Sequence, residues 1–193
     1  LSVLAAERLQ GRVDGIVLLD SPLIAGLSAT MVRLGHLTGL DRLVMPLAQT
    51  LQRRQHWPDI DAAHAHYHAK RMFRRWHPDV LRDYAEHCTM PDGRGERTLL
   101  FDRHIEYRIY RALPTLRTAR AAAALRVPAA FIGGRRSREL RHIGHRATRA
   151  LVGPRWYWHA GSHLFPMEDP QATAGLIREA IADMMAARES TAA

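Results

Sequence analysis

Two kinds of pattern alternate along the chain: short unbroken apolar runs and longer stretches with helical spacing. Residues 15–20, Gly-Ile-Val-Leu-Leu-Asp, stay apolar and β-prone until they end on a carboxylate, the mark of a strand buried on both faces of a parallel sheet. Residues 128–134, Pro-Ala-Ala-Phe-Ile-Gly-Gly, form a second such run, and residues 155–159, Arg-Trp-Tyr-Trp-His, a third and more aromatic one. Ahead of the first strand, Val3, Leu4 and Leu9 recur near helical spacing until Gly11. Residues 23 to about 95 read as helical throughout, with helices at 23–37, 41–54, 59–72 and 78–88 separated by Gly35, Gly39, Pro58 and Pro78. A loop, Pro-Asp-Gly-Arg-Gly at 91–95, leads to a short extended piece at 97–101 and helices at 103–112 and 115–125. A helix over 137–151 follows the second strand. A closing helix over 168–187 has Leu176, Ile177, Ala180, Ile181 and Met184 on one face.

This order predicts an α/β chain built on a parallel sheet, with core segments 1–22 and 113–193 and a helical insert over 23–112. Three strands alone leave the first, 15–20, with an open apolar edge of the kind proteins usually cover, so further strands are expected upstream of Leu1. The length, 193 residues, suits one domain with an inserted subdomain. With 47% hydrophobic and 24% charged residues the chain is not a disordered one. No apolar run approaches the roughly 18 residues of a membrane span, so no membrane partner is expected. Cys88 is the only cysteine, which excludes an intrachain disulfide and fits a reducing compartment, the cytoplasm.

The net charge is +9 and comes almost wholly from arginine, because Lys70 is the only lysine. Such a charge raises a nucleic-acid surface as one reading. The arginines are scattered, however (Arg53, Arg54, Arg74, Arg75, Arg135, Arg136, Arg138, Arg141), and neither zinc-finger spacing nor an aromatic nucleic-acid signature accompanies them. No nucleic-acid partner is therefore expected. His64, His66 and His68 alternate, but a helix puts only His64 and His68 on one face, and no His-Glu-x-x-His pattern completes a site. No metal and no cofactor is expected. Trp57, Phe73 and Trp76 either pack as core or line an acyl pocket, with core the preferred reading.

The segment with the most chemistry is Ala-Gly-Ser-His-Leu-Phe-Pro-Met-Glu-Asp-Pro at 160–170. It places His163 on a glycine-containing loop after a strand and before the last helix. In open α/β sheets ligands gather beyond the carboxyl ends of the strands, and an imidazole there can shuttle protons near neutral pH.

This segment resembles the histidine loop of the α/β-hydrolase family. Residues 15–22 look like that family's sixth strand, 127–134 its seventh and 155–159 its eighth, and the helical insert falls where the family carries its cap. The resemblance implies a partial α/β-hydrolase fold and a nucleophile–acid–histidine triad in that chain order, with His163 as the base. Two positions offer the acid. The family's usual place after the seventh strand holds Ser137 and Arg138, which cannot serve, with Glu139 a residue or two late. The place after the sixth strand, used by some thioesterase-like and dehalogenase-like members, holds Asp20. Asp20 is the first candidate and Glu139 the alternative. The sequence has no Gly-x-Ser-x-Gly elbow; Gly26-Leu-Ser28-Ala-Thr30 comes nearest but lacks the closing glycine. The chain is accordingly expected to begin just after its nucleophile and, alone, not to turn over. The implied activity is serine-type hydrolysis of a carboxylic ester or related acyl substrate. A non-catalytic binding protein of the same fold is the alternative, and the oligomeric state is left open.

Overall fold

A computed structural model describes residues 1–24, 30, 47–112 and 115–192. The chain forms two compact units, Leu1–Val32 with Pro114–Ala193, and Arg33–Leu113.

The first unit is built on a parallel three-stranded sheet of β1 (Ile16–Leu19), β5 (Ala129–Gly134) and β6 (Trp156–His159), in the order β1-β5-β6. Ile16 faces Ala129 and Leu19 faces Ile132, while Phe131 faces Trp156 and Gly134 faces His159. Side chains of successive strand residues point to opposite faces, and each face has its own cover. Ile16, Leu18, Ala129, Phe131 and Trp156 pack with residues of α1 (Ser2–Arg8), α6 (Thr115–Ala124), α7 (Arg138–Ile143) and α8 (Arg146–Val152). Val17, Ala130 and Tyr157 meet Ala180 and Met184 of the closing helix α10 (Pro170–Ala192). The apolar runs therefore reflect burial on both faces. β5 is buried at all six positions.

Three expectations are corrected. The helix predicted over 137–151 is two helices, α7 and α8, because Gly144 takes a φ of +85°, a left-handed conformation in which glycine alone is unstrained. The closing helix is preceded by a single short turn, α9 (Phe165–Glu168), and then runs to Ala192. The stretch read as helical throughout is mixed. Between α2 (Leu47–Leu51), α3 (Ile60–His68), α4 (Pro78–His87) and α5 (Arg103–Arg111) lies an antiparallel sheet of β2 (His56–Trp57), β4 (Arg97–Leu99) and β3 (Thr89–Pro91), in the order β2-β4-β3. The predicted helices 23–37 and 41–54 fall largely on residues 25–29 and 31–46, which lie outside the described residues, as does most of the Gly26–Thr30 string.

The second unit has a core of its own: Trp57, Ala63, Tyr67, Phe73, Leu81 and Ala85, with Trp76 and Tyr84 packed against it. Trp57, Phe73 and Trp76 are thus core residues. Its helices start where the local chemistry allows: Asp59 accepts from Ala62 N to cap α3, Pro78 opens α4, and Asp102 accepts from His104 N and Ile105 N to cap α5. His64 and His68 stack on one side of α3, and His66 turns toward Trp57.

Candidate active site

β1 and β5 run side by side, so their carboxyl ends deliver Asp20 and Gly134 to the same place. Asp20 has a φ of +42°. That left-handed backbone is uncommon outside glycine, though aspartate is among the residues that adopt it, and such strain concentrates at functional sites. The turn drives the Asp20 side chain inward, where its carboxylate is fully buried.

Both oxygens of that carboxylate are used, by three donors. Oδ1 accepts from Gly134 N at 2.7 Å, and Oδ2 accepts from Ser137 Oγ at 2.5 Å and from His163 Nδ1 at 2.7 Å. Burial pushes the Asp20 carboxyl up, but the hydrogen bonds from His163, Ser137 and Gly134 outweigh it and hold the group below its ordinary value of 3.8. An ionised carboxylate can only accept, so Nδ1 of His163 carries a proton and Nε2 is the ring's basic position. The hydrogen bond to Asp20 raises His163 above 6.5 against the opposing effect of burial, and the charge of Glu139 adds to the rise. The imidazole is 41% exposed, so its outer edge remains open to a reactant.

The histidine loop is held from beneath. Glu168, at the end of α9, accepts from Ser162 N at 3.0 Å and from Ser162 Oγ at 2.6 Å. Its side chain is only 8% exposed, and Arg136 stands 3.9 Å away. Ser162 Oγ in turn accepts from Leu164 N, and Gly161 N donates to Nδ1 of His159, whose ring stacks on Phe165. Residues on both sides of His163 are therefore fixed, which directs its ring at Asp20.

The structure brings together His163 and Asp20, the two residues favoured from sequence. Glu139 is exposed and makes no hydrogen bond to the ring. Its carboxylate lies 3.4 Å from Ser137 Oγ and reaches His163 only through its charge. Ser137 and Glu168 are the residues that sequence reasoning missed. Ser137 is buried, caps α7 by accepting from Leu140 N, and spends its hydroxyl proton on Asp20. Its position at the start of an apolar-periodic helix was the available signal. Outside this cluster, and among the described residues, His56, Asp92 and Glu96 bring possible metal-ligand atoms within 4.8 Å of one another. Asp92 Oδ1 there already accepts from Arg94 N and Glu96 N of its own hairpin.

Two outcomes follow from the pair. Because His163 is raised on folding, its contribution to stability is complete below pH 6.5 and disappears as pH climbs through the folded value. Because Asp20 is lowered, its contribution is present above pH 3.8 and disappears as pH falls through the folded value. Urea midpoints measured against pH are expected to decline on both sides of that window, with the alkaline decline missing in Asp20→Asn. Ser137→Ala removes one donor from Asp20 and the cap from Leu140 N. It is expected to cost about 1–3 kcal/mol and to raise the Asp20 pKa, read by carboxyl ¹³C titration.

The architecture is a partial α/β-hydrolase fold, matched over most of this chain. No protein-family profile matches the sequence, and no curated protein does. Among solved structures it is similar to E-2-(acetamidomethylene)succinate hydrolase, at a TM-score of 0.67 and 20% identity over 93% of this chain and 62% of that one. It is also similar to the thioesterase domain from the curacin biosynthetic pathway, at 0.62 and 18% over 91% of this chain and 61% of the other. A Mycobacterium tuberculosis esterase matches at 0.63 and 15% identity, over 93% and 58%. The chain thus spans less than two thirds of each structure. No described helix is long and apolar enough to cross a membrane.

Proposed function

We propose that this chain supplies the base and the acid of a hydrolase that cleaves a carboxylic ester or a related acyl compound. The observation that carries the reading is the 2.7 Å hydrogen bond from His163 Nδ1 to a buried Asp20 carboxylate at the carboxyl end of a parallel sheet. His163 Nε2 would take the proton of an attacking hydroxyl and return it to the leaving group. Asp20 would hold the tautomer and stabilise the imidazolium. The similar structures include a hydrolase, a thioesterase domain and an esterase, which suits acyl transfer as the reaction class. The nucleophile that such a base serves has no Gly-x-Ser-x-Gly candidate within these 193 residues, so the activity proposed is that of the whole protein.

The test is hydrolysis of a short activated ester, such as p-nitrophenyl butyrate, by the full-length protein. Turnover is expected, and His163→Ala should abolish it while leaving the circular dichroism spectrum unchanged. Equal turnover by the variant would refute His163 as the base.

A further inference from the structure

We propose that His56, Asp92 and Glu96 form a zinc-binding site on the outer face of the small sheet, where the ion ties β2 to the β3–β4 hairpin. The site lies within the second unit and does not depend on the reading of His163 and Asp20. Each of the three side chains offers a ligand atom, and these atoms lie within 4.8 Å of one another. Strand register explains how they meet. Thr98 of β4 is opposite His56 on one side and Met90 on the other, so these three side chains share a face. Trp57, Arg97 and Pro91 belong to the other face, where Trp57 enters the core. Glu96 precedes Thr98 by two residues and Asp92 follows Met90 by two, which returns both to the His56 face. Asp92 N donates to Glu96 O at 3.0 Å, so the pairing of β3 with β4 continues to the residues that carry the carboxylates. The imidazole stands diagonally across from them, within reach of long side chains.

The donors are prepared for a cation. Asp92 Oδ1 accepts from Arg94 N at 2.8 Å and from Glu96 N at 3.2 Å, which fixes the carboxylate and leaves Oδ2 for a ligand bond. The chain has 28 lysines and arginines against 19 acidic residues, yet among the described residues neither Asp92 nor Glu96 has an ion-pair partner. The arginines on the strands aim elsewhere: Arg54 Nε donates to His56 O, and Arg97 donates to Thr89 Oγ1 and to the carbonyl oxygens of Glu86 and Thr89. One imidazole nitrogen and two carboxylate oxygens are ligands that zinc takes, with water in the fourth position, and the two carboxylates balance its charge. Magnesium and calcium prefer six or more oxygens and are poorly served by this set. Tetrahedral zinc would draw the donors to about 3.4 Å apart. His56 and Glu96 are exposed, so side-chain rotation can close the difference. Strands of two and three residues make a marginal sheet by themselves, and an ion that bridges them adds its binding free energy to their folding.

The test is isothermal titration calorimetry of the EDTA-dialysed protein with zinc chloride, followed by thermal melts of the same samples. Zinc is expected to bind saturably and to raise the melting midpoint. His56→Asn and Glu96→Gln, both at exposed positions, should each weaken that binding at least about tenfold and reduce the rise in midpoint. His64→Asn with His68→Asn removes the stacked pair on α3 and should leave both readouts unchanged. Magnesium chloride at the same concentration should give neither heat nor shift. In the unaltered protein, zinc should move the ring signals of His56 in ¹H–¹⁵N spectra and not those of His64 or His68. Absence of zinc binding overturns the site. So does binding that survives His56→Asn and Glu96→Gln at full strength, or a His56 ring that does not respond to zinc.

Discussion

Asp20→Asn is expected to slow ester hydrolysis by the full-length protein roughly 10⁴-fold, beyond the stability it loses with the carboxylate's hydrogen bonds. Asparagine has the same shape and tolerates the left-handed backbone, so the φ of +42° survives the change. What changes is the hydrogen-bond pattern. Gly134 N needs an acceptor, which the amide oxygen provides, and the amide nitrogen then faces Ser137 Oγ and His163 Nδ1. A donor at that position favours the tautomer with the proton on Nε2, where the base must be free. The ring's hydrogen bond to the carboxylate, the main cause that raises His163 above 6.5, is lost as well, together with the smaller effect of the Asp20 charge. Two measurements check this: kcat for an activated ester, and the ¹⁵N titration of His163, whose pKa should fall. A variant with wild-type turnover and an unshifted histidine would contradict the assigned role of Asp20.

Gly134→Ala is expected to cost roughly 3 kcal/mol of stability and to separate His163 from Asp20. Gly134 ends β5 directly beneath the histidine loop. A Cβ added there would press against the Ser162 carbonyl oxygen and come within 2.9 Å of the Gly161 oxygen. Both are backbone atoms, so no rotamer change relieves the contact. The loop must lift or β5 must shift, and either movement disturbs the 2.7 Å bond from Gly134 N to Asp20. Urea denaturation would measure the loss, and the His163 Nδ1 proton resonance would report the separation. A fully stable variant with that resonance intact would show that the close approach of β5 to the loop is not needed.

The parts of this molecule that could be read in advance are those governed by local pattern. A strand buried on both faces has to be written as an apolar run, and 16–19 and 129–134 are written that way. A carboxylate at the end of one run and a histidine after a glycine in the last loop were visible for the same reason. Choosing Asp20 over Glu139 needed more than pattern. Glu139 lies only two residues beyond Ser137, and the direction of α7 decides that its carboxylate misses the imidazole. The small sheet of the second unit was illegible because strands of two and three residues, such as His56–Trp57, have no periodicity to detect. The break at Gly144 was missed because helical spacing resumes beyond it. The cap position of Ser137 is legible, but its bond to Asp20, 117 residues away, is a tertiary contact that no spacing rule encodes.

His163 and Asp20 are separated by 143 positions along the chain. During synthesis Asp20 leaves the ribosome long before the ring that completes it, and its buried carboxylate has to be satisfied in stages. Gly134 emerges first, then Ser137, and His163 last. Pairing of β5 with β1 already brings distant parts of the chain together, so the contact has less loop to close once that pairing has formed. A nascent chain therefore lacks the bond between His163 and Asp20 until residue 163 has emerged.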